Sequence, residues 1–156
     1  MATMVGTQKE IHAVLNALIE LDYDAIEAYR AAIDRLANEA DRVQMRTFMG
    51  DHERHVRDLT TVVTSMGQQV SKGPDLKGIL TKGKVVLGGL IGDRAILMAM
   101  KTNEDDTNTA YERVVARTDL PSHVLDLLRG NLDDERRHRS WIQQRLAAVR
   151  EEHAHR

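Results

Sequence analysis

The chain has no cysteine and only two prolines among its 156 residues. Without cysteine there are no disulfides, no thiolate metal sites and no cysteine nucleophile. That absence suits a reducing compartment, and a cytoplasmic location is expected. Aromatic residues make up 3% of the chain, too few for the stacking platforms of single-strand nucleic-acid binders. Charge of one sign is lacking too. The formal net charge is −2, and lysines and arginines are spread along the chain, so nucleic acid is not an expected partner. No stretch approaches the roughly 20 apolar residues that a membrane helix needs. Residues 1–8 carry neither a positive region nor an apolar run, so no signal peptide is expected.

The few helix breakers are unevenly placed. Between residues 7 and 66 there is one glycine, Gly50, whereas most of the ten glycines fall within 67–92 together with Pro74. This spacing predicts two long helical halves joined by a breaker-rich connection. Thr7 and Glu10 read as a capping box opening helix A, about 7–37. Asn38 reads as a break before helix B, about 39–66, which Gly67 ends. Asp93 is expected to cap helix C, about 93–118, and Asp119 and Pro121 to start helix D, about 120–150. Short A–B and C–D links imply antiparallel hairpins, and the 67–92 segment is long enough to cross over. The expected fold is all-α: one domain, a four-helix bundle with a single long B–C crossover containing a short helix. In that crossover Leu76, Ile79, Leu80, Val86, Leu87 and Leu90 recur at helical spacing. They read as a segment packed on the bundle rather than as a membrane-surface helix, because its glycines weaken a free helix by about 1 kcal/mol each.

Each helical stripe is apolar except near its middle. Asp22 interrupts Leu15, Leu18, Ala25 and Tyr29. His52 and His55 interrupt Met45, Phe48 and Leu59. Glu104 lies between Met100 and Tyr111, and Glu135 and His138 lie between Leu128 and Ile142. Burying an unpaired charge costs several kcal/mol, so these six need partners. No lysine or arginine occupies the stripes nearby. The balancing charge must come from protonated histidines or from a metal ion. Residues three apart share a helix face, so a carboxylate and an imidazole at that spacing can hold one ion. The halves also echo each other, with Asp22 seven residues before Tyr29 and Glu104 seven before Tyr111. Tyr29 and Tyr111 read as core residues with one hydrogen bond, with support of a neighbouring ligand as an added role. Asp51, Glu53 and Asp134 sit one step off the stripes and read as solvated or salt-bridging groups. His12 and His123 read as surface residues, and His153 and His155 as part of a C-terminal tail.

These residues resemble the ferritin-like superfamily, which has a carboxylate on helices A and C and Glu-x-x-His on B and D. More closely, the chain resembles a bacterial ferritin-like family known as domain of unknown function 2383. The most similar segments are GDRAILMAMKTNEDDTNTAY, Gly92 to Tyr111, and DDERRHRSWI, Asp133 to Ile142. The resemblance implies that Asp22 and Glu104 are terminal carboxylates. Glu135 and His138 match the second Glu-x-x-His, and His55 matches the histidine of the first. His52 stands where the pattern has a bridging glutamate.

That departure bears on charge. Two divalent ions carry four positive charges, and the six residues offer three carboxylates, Asp22, Glu104 and Glu135. One ion is favoured, or a nitrogen-rich site suited to zinc, iron, nickel or copper over magnesium or calcium. The expected cofactor is a divalent metal, one or two ions, with iron ahead of zinc and manganese. The expected function is a metal-binding ferritin-like bundle, in its strongest form a di-iron or related centre acting on oxygen or peroxide. The competing expectation is a non-enzymatic stress or interaction bundle with a degenerate, mononuclear or metal-free site. A homo-oligomer is compatible with either, and neither specifies a small-molecule substrate.

Overall fold

The computed structural model describes residues 3–73, 87 and 89–154, without the side chains of 151–154. Among them are four helices and no strand: α1 Ile11–Arg35, α2 Glu39–Ser65, α3 Asp93–Val115 and α4 Ser122–Ala154. The connection leaves α2 beside the start of α1, where Asn16 bonds Gln69 and Ser71. It re-enters beside the end of α1, where Asp93 accepts from Ala37 and Asn38 at 2.8 and 3.0 Å. The described ends of the connection therefore lie beside opposite ends of α1. The short helix expected within it falls largely on residues 74–86 and 88, outside those described. None of the described helices is long and apolar enough to cross a membrane.

Local chemistry sets the helix ends, not always as expected. The Thr7–Glu10 capping box is absent. Thr7 donates to the Met4 carbonyl instead, and α1 opens at Ile11 with no side-chain cap. The start of α1 is secured by arginines of α3 and its C-terminal flank. Arg113 donates to the carbonyls of Thr3 and Val5, and Arg117 to those of Gly6, Gln8 and Lys9. A positive φ of 98° at Gly6, with Arg113 against its Cα, reserves that position for glycine. Asn38 caps α2 by accepting from the Asp41 amide at 2.9 Å. The helix ends in a Schellman motif: Gly67 has φ 72°, its amide reaches Thr64, and the Gln68 amide reaches Val63. Asp93 is not the cap of α3, a place taken by Gly92. Its carboxylate faces the α1–α2 turn, where two free amides compete for it. Helix α4 starts at Ser122, just after Pro121, while Asp119 pairs with Arg117.

Two cross-helix bonds per pair show every adjacent pair to be antiparallel, the second being Arg42 to Ile33 for α1–α2, Asn131 to Tyr111 for α3–α4, Tyr29 to Glu104 for α1–α3 and His55 to Asp134 for α2–α4. Asp22 meets His52 between α1 and α2, and Thr107 meets Glu135 between α3 and α4. Tyr111 reaches Asp22 between α3 and α1, and His138 reaches Asp51 between α4 and α2. The apolar core is split in two. One part holds Leu15, Leu18, Leu59, Val63, Val114 and Leu128, and the other Ala32, Met45, Phe48, Leu97, Met100 and Ile142. Each fully buried aliphatic side chain contributes about 1.5–3 kcal/mol, so these two blocks drive folding. Between them lies a polar layer that opposes it.

One buried ion pair lies away from that layer. Arg145 holds both oxygens of Asp41, at 2.8 and 2.9 Å, and Asp41 is 2% exposed. Arg145→Ala is expected to destabilise the fold by about 3 kcal/mol, because it leaves a buried carboxylate without its cation. The urea midpoint measures this, with the exposed Arg150→Ala expected within about 0.5 kcal/mol of the parent.

Candidate metal centre

All six residues singled out by the stripes are buried in the polar layer, none more than 1% exposed. They form two overlapping groups. Ligand-capable atoms of Asp22, His52, His55 and Glu135 lie within 4.8 Å of one another, as do those of His52, Glu104, Glu135 and His138. His52 and Glu135 are common to both. The helical register makes this layer. Residues 52 and 55, and 135 and 138, share a face of α2 and of α4, while Asp22 and Glu104 come from the middles of α1 and α3.

The two outer histidines have the same arrangement. His55 turns Nε2 to Asp134 on α4 at 2.9 Å and Nδ1 inward, 3.2 Å from Asp22 and 3.4 Å from Glu135. His138 turns Nε2 to Asp51 on α2 at 2.8 Å and Nδ1 inward, 3.4 Å from Glu104 and 3.7 Å from Glu135. A carboxylate only accepts, so Nε2 carries the proton in both rings, and the inward Nδ1 is the ligand-capable atom. Asp51 and Asp134 are in turn held by Arg54 and Arg137. Arg137 lies 2.8 Å from Asp51 and 3.0 Å from Asp134, and Arg54 lies 3.2 Å from Asp51 and also pairs with Asp134. The salt-bridging role expected of Asp51 and Asp134 is thus present, with histidine orientation added to it. Glu53 is exposed.

Hydroxyls serve the other carboxylates. Tyr29 donates to Glu104, and Tyr111 donates to Asp22 at 2.6 Å. Thr107 lies 3.1 Å from Glu104 and 2.9 Å from Glu135. Burial first, and then the facing carboxylates, push both phenols well above their ordinary range. They therefore stay protonated and act as donors.

Among the described residues, Glu135 Oε1 and His138 Nδ1 are buried without a hydrogen-bond partner. Their nearest charged neighbours stand at 3.4 Å, too long for a good hydrogen bond, and both atoms face the cluster. An ion seated there would satisfy both, and the donor set of carboxylate oxygen and imidazole nitrogen fits a divalent transition metal.

Without an ion the layer holds protons. Burial opposes charge on His55, but Asp22 and Asp134 overcome it and push the ring up to about 12. Burial likewise opposes charge on His138, and Asp51 and Glu104 push it up to about 9. Asp22, against burial, is drawn down to about 2 by His55 and His52. Glu135 goes the other way: burial raises it, and Glu104 adds to the shift.

The outer aspartates yield a prediction. Asp51→Asn and Asp134→Asn are each expected to weaken metal binding by about 10–100-fold, because the inward nitrogen becomes less basic and less fixed. Competition against a coloured chelator measures this.

A search of curated proteins and of solved structures finds no match. One family model matches residues 10–117, which takes in α1, α2 and α3 and leaves Glu135 and His138 beyond its span. The chain belongs to the family described as Domain of unknown function (DUF2383).

Proposed function

We propose that this protein binds a divalent transition metal in the polar layer of its bundle. The observation that carries this reading is the crossed histidine pair. His55 and His138 each give Nε2 to an aspartate of the facing helix, which leaves Nδ1 directed at the buried carboxylates.

The finer reading is iron, with oxygen or peroxide as the substrate class, supported by the resemblance to ferritin-like proteins. A bound iron ion supplies one-electron chemistry that the side chains lack. The chain does the rest. Asp22, His55, Glu104, Glu135 and His138 supply donor atoms. Tyr29, Tyr111 and Thr107 fix the carboxylates by hydrogen bonds. The two apolar blocks exclude bulk water from the layer.

A second reading is favoured by the proton affinities: three imidazolium rings can balance three carboxylates with no metal. The two readings separate in one experiment. Protein purified without added metal is assayed for metal content, stripped, and titrated with ferrous iron in weak buffer. At least one ion per chain and proton release on binding are expected, since the histidines must give up their inward protons. Weak uptake with no proton release leaves the metal-free network standing.

A further inference from the structure

We propose that His52 is a two-sided ligand that joins a pair of divalent ions, one ring nitrogen to each. The inference rests on the metal-binding reading and specifies how the two overlapping groups share their ions.

His52 differs from the other two histidines in having no outer aspartate. Its Nδ1 lies 2.8 Å from Asp22 Oδ1 and 3.4 Å from Glu135 Oε1. Its Nε2 lies 3.4 Å from Glu104 Oε1. One nitrogen thus faces the group containing His55 and the other the group containing His138. The ring is held in that orientation by its neighbours. Tyr29, His138 and His55 lie with ring centroids 5.3, 5.2 and 5.5 Å away. Glu135 is two-sided in the same sense. Oε1 faces His52 and His55, while Oε2 takes Thr107 and faces His138.

Charge supports the same arrangement. Three carboxylates leave two divalent ions one negative charge short. A neutral His52 ring binds the first ion through one lone pair. The second ion displaces the N–H proton from the other nitrogen, and that proton leaves to solvent. No electron moves. The ring then carries the missing negative charge, and four negative charges meet four positive ones. The histidine that breaks the expected glutamate pattern thereby does the electrostatic work of the missing carboxylate. The ions would lie apart by two metal–nitrogen bonds of about 2.0–2.1 Å plus the ring between them, too far for one oxygen atom to bridge. Imidazole nitrogen donors suit copper and zinc ions.

The test is a Cu2+ titration of the stripped full-length chain, with bound copper and electron paramagnetic resonance intensity read together. Two ions per chain are expected. At two equivalents the intensity should fall below half that of the same copper in unlinked sites, because the ring couples the two spins. His52→Gln should lose the second ion by at least tenfold in affinity, or keep two ions at full intensity. His52→Glu should keep two ions. Circular dichroism checks the folding of both variants, and the parent titration stands without them. A single tight copper at full intensity, two uncoupled coppers, or coupling that persists in His52→Gln overturns the proposal while metal binding itself survives. Copper uptake no greater than that of Glu135→Gln defeats the metal-binding reading as well.

Discussion

Glu135→Gln is expected to weaken metal binding by at least 100-fold, about 3 kcal/mol at 1.4 kcal/mol per tenfold, while leaving the stripped protein folded. Glu135 is the one carboxylate shared by both ligand groups, so its loss is felt at each. Glutamine keeps the shape and can still accept from Thr107, which lies 2.9 Å from Oε2. What disappears is the negative charge and a strong oxygen donor. In the stripped chain that same charge is a burden. Burial raises the pKa of Glu135 against the opposing pull of His52, and the nearby Glu104 adds to the rise, so its ionised form is disfavoured there. Removing it therefore costs the empty bundle little. Melting temperatures with and without metal check the pair of claims. The stripped variant should melt within a few degrees of the stripped parent, and added metal should raise the parent only. A stripped variant that fails to fold would show that Glu135 is needed by the architecture itself.

Removing the metal is the second large effect. An ion that binds only the folded state stabilises it by about 4 kcal/mol when present at 1,000 times its dissociation constant. For a chain of this length each kcal/mol moves the midpoint by about 2–4 °C, so a chelator should lower it by about 10 °C. The physical source is the polar layer. Its orphaned atoms, Glu135 Oε1 and His138 Nδ1, gain partners from an ion and lose them again on chelation. Calorimetry with and without a soluble chelator such as EDTA measures the shift. An unchanged midpoint would mean that the layer balances its charge with protons alone.

Much of the site is legible in the sequence because helical periodicity is rigid. Once Asp22, His52, His55, Glu104, Glu135 and His138 fall on apolar stripes, the 3.6-residue repeat brings them to one layer. The bundle order follows from where glycines and prolines fall, with Asn38 and Gly67 at the helix ends assigned to them. The outer layer was harder to see. Asp51 and Asp134 sit off the stripes, and stripe analysis discards such positions. Yet a signal exists: DHERH at 51–55 and DERRH at 134–138 share aspartate, arginine and histidine at the same spacing. That repeat encodes the aspartates that orient the histidines and the arginines that hold the aspartates. The caps expected at two helix starts, Thr7 for α1 and Asp93 for α3, are absent for a different reason. Thr7 and Asp93 have capping chemistry, but other groups take them: the Met4 carbonyl, three residues back, takes the Thr7 hydroxyl, and the α1–α2 turn takes Asp93. For Asp93 the partners lie 55 and 56 residues away, and local spacing carries no information about them.

The exchange of aspartates between α2 and α4 also bears on how the molecule can be divided. Each hairpin lends its outer aspartate, Asp51 or Asp134, to the outer nitrogen of the other hairpin's histidine and keeps none for that nitrogen of its own. A fragment ending within the connection would therefore carry imidazoles without their orienting groups, and so would its complement. The two halves complete one another only when brought together.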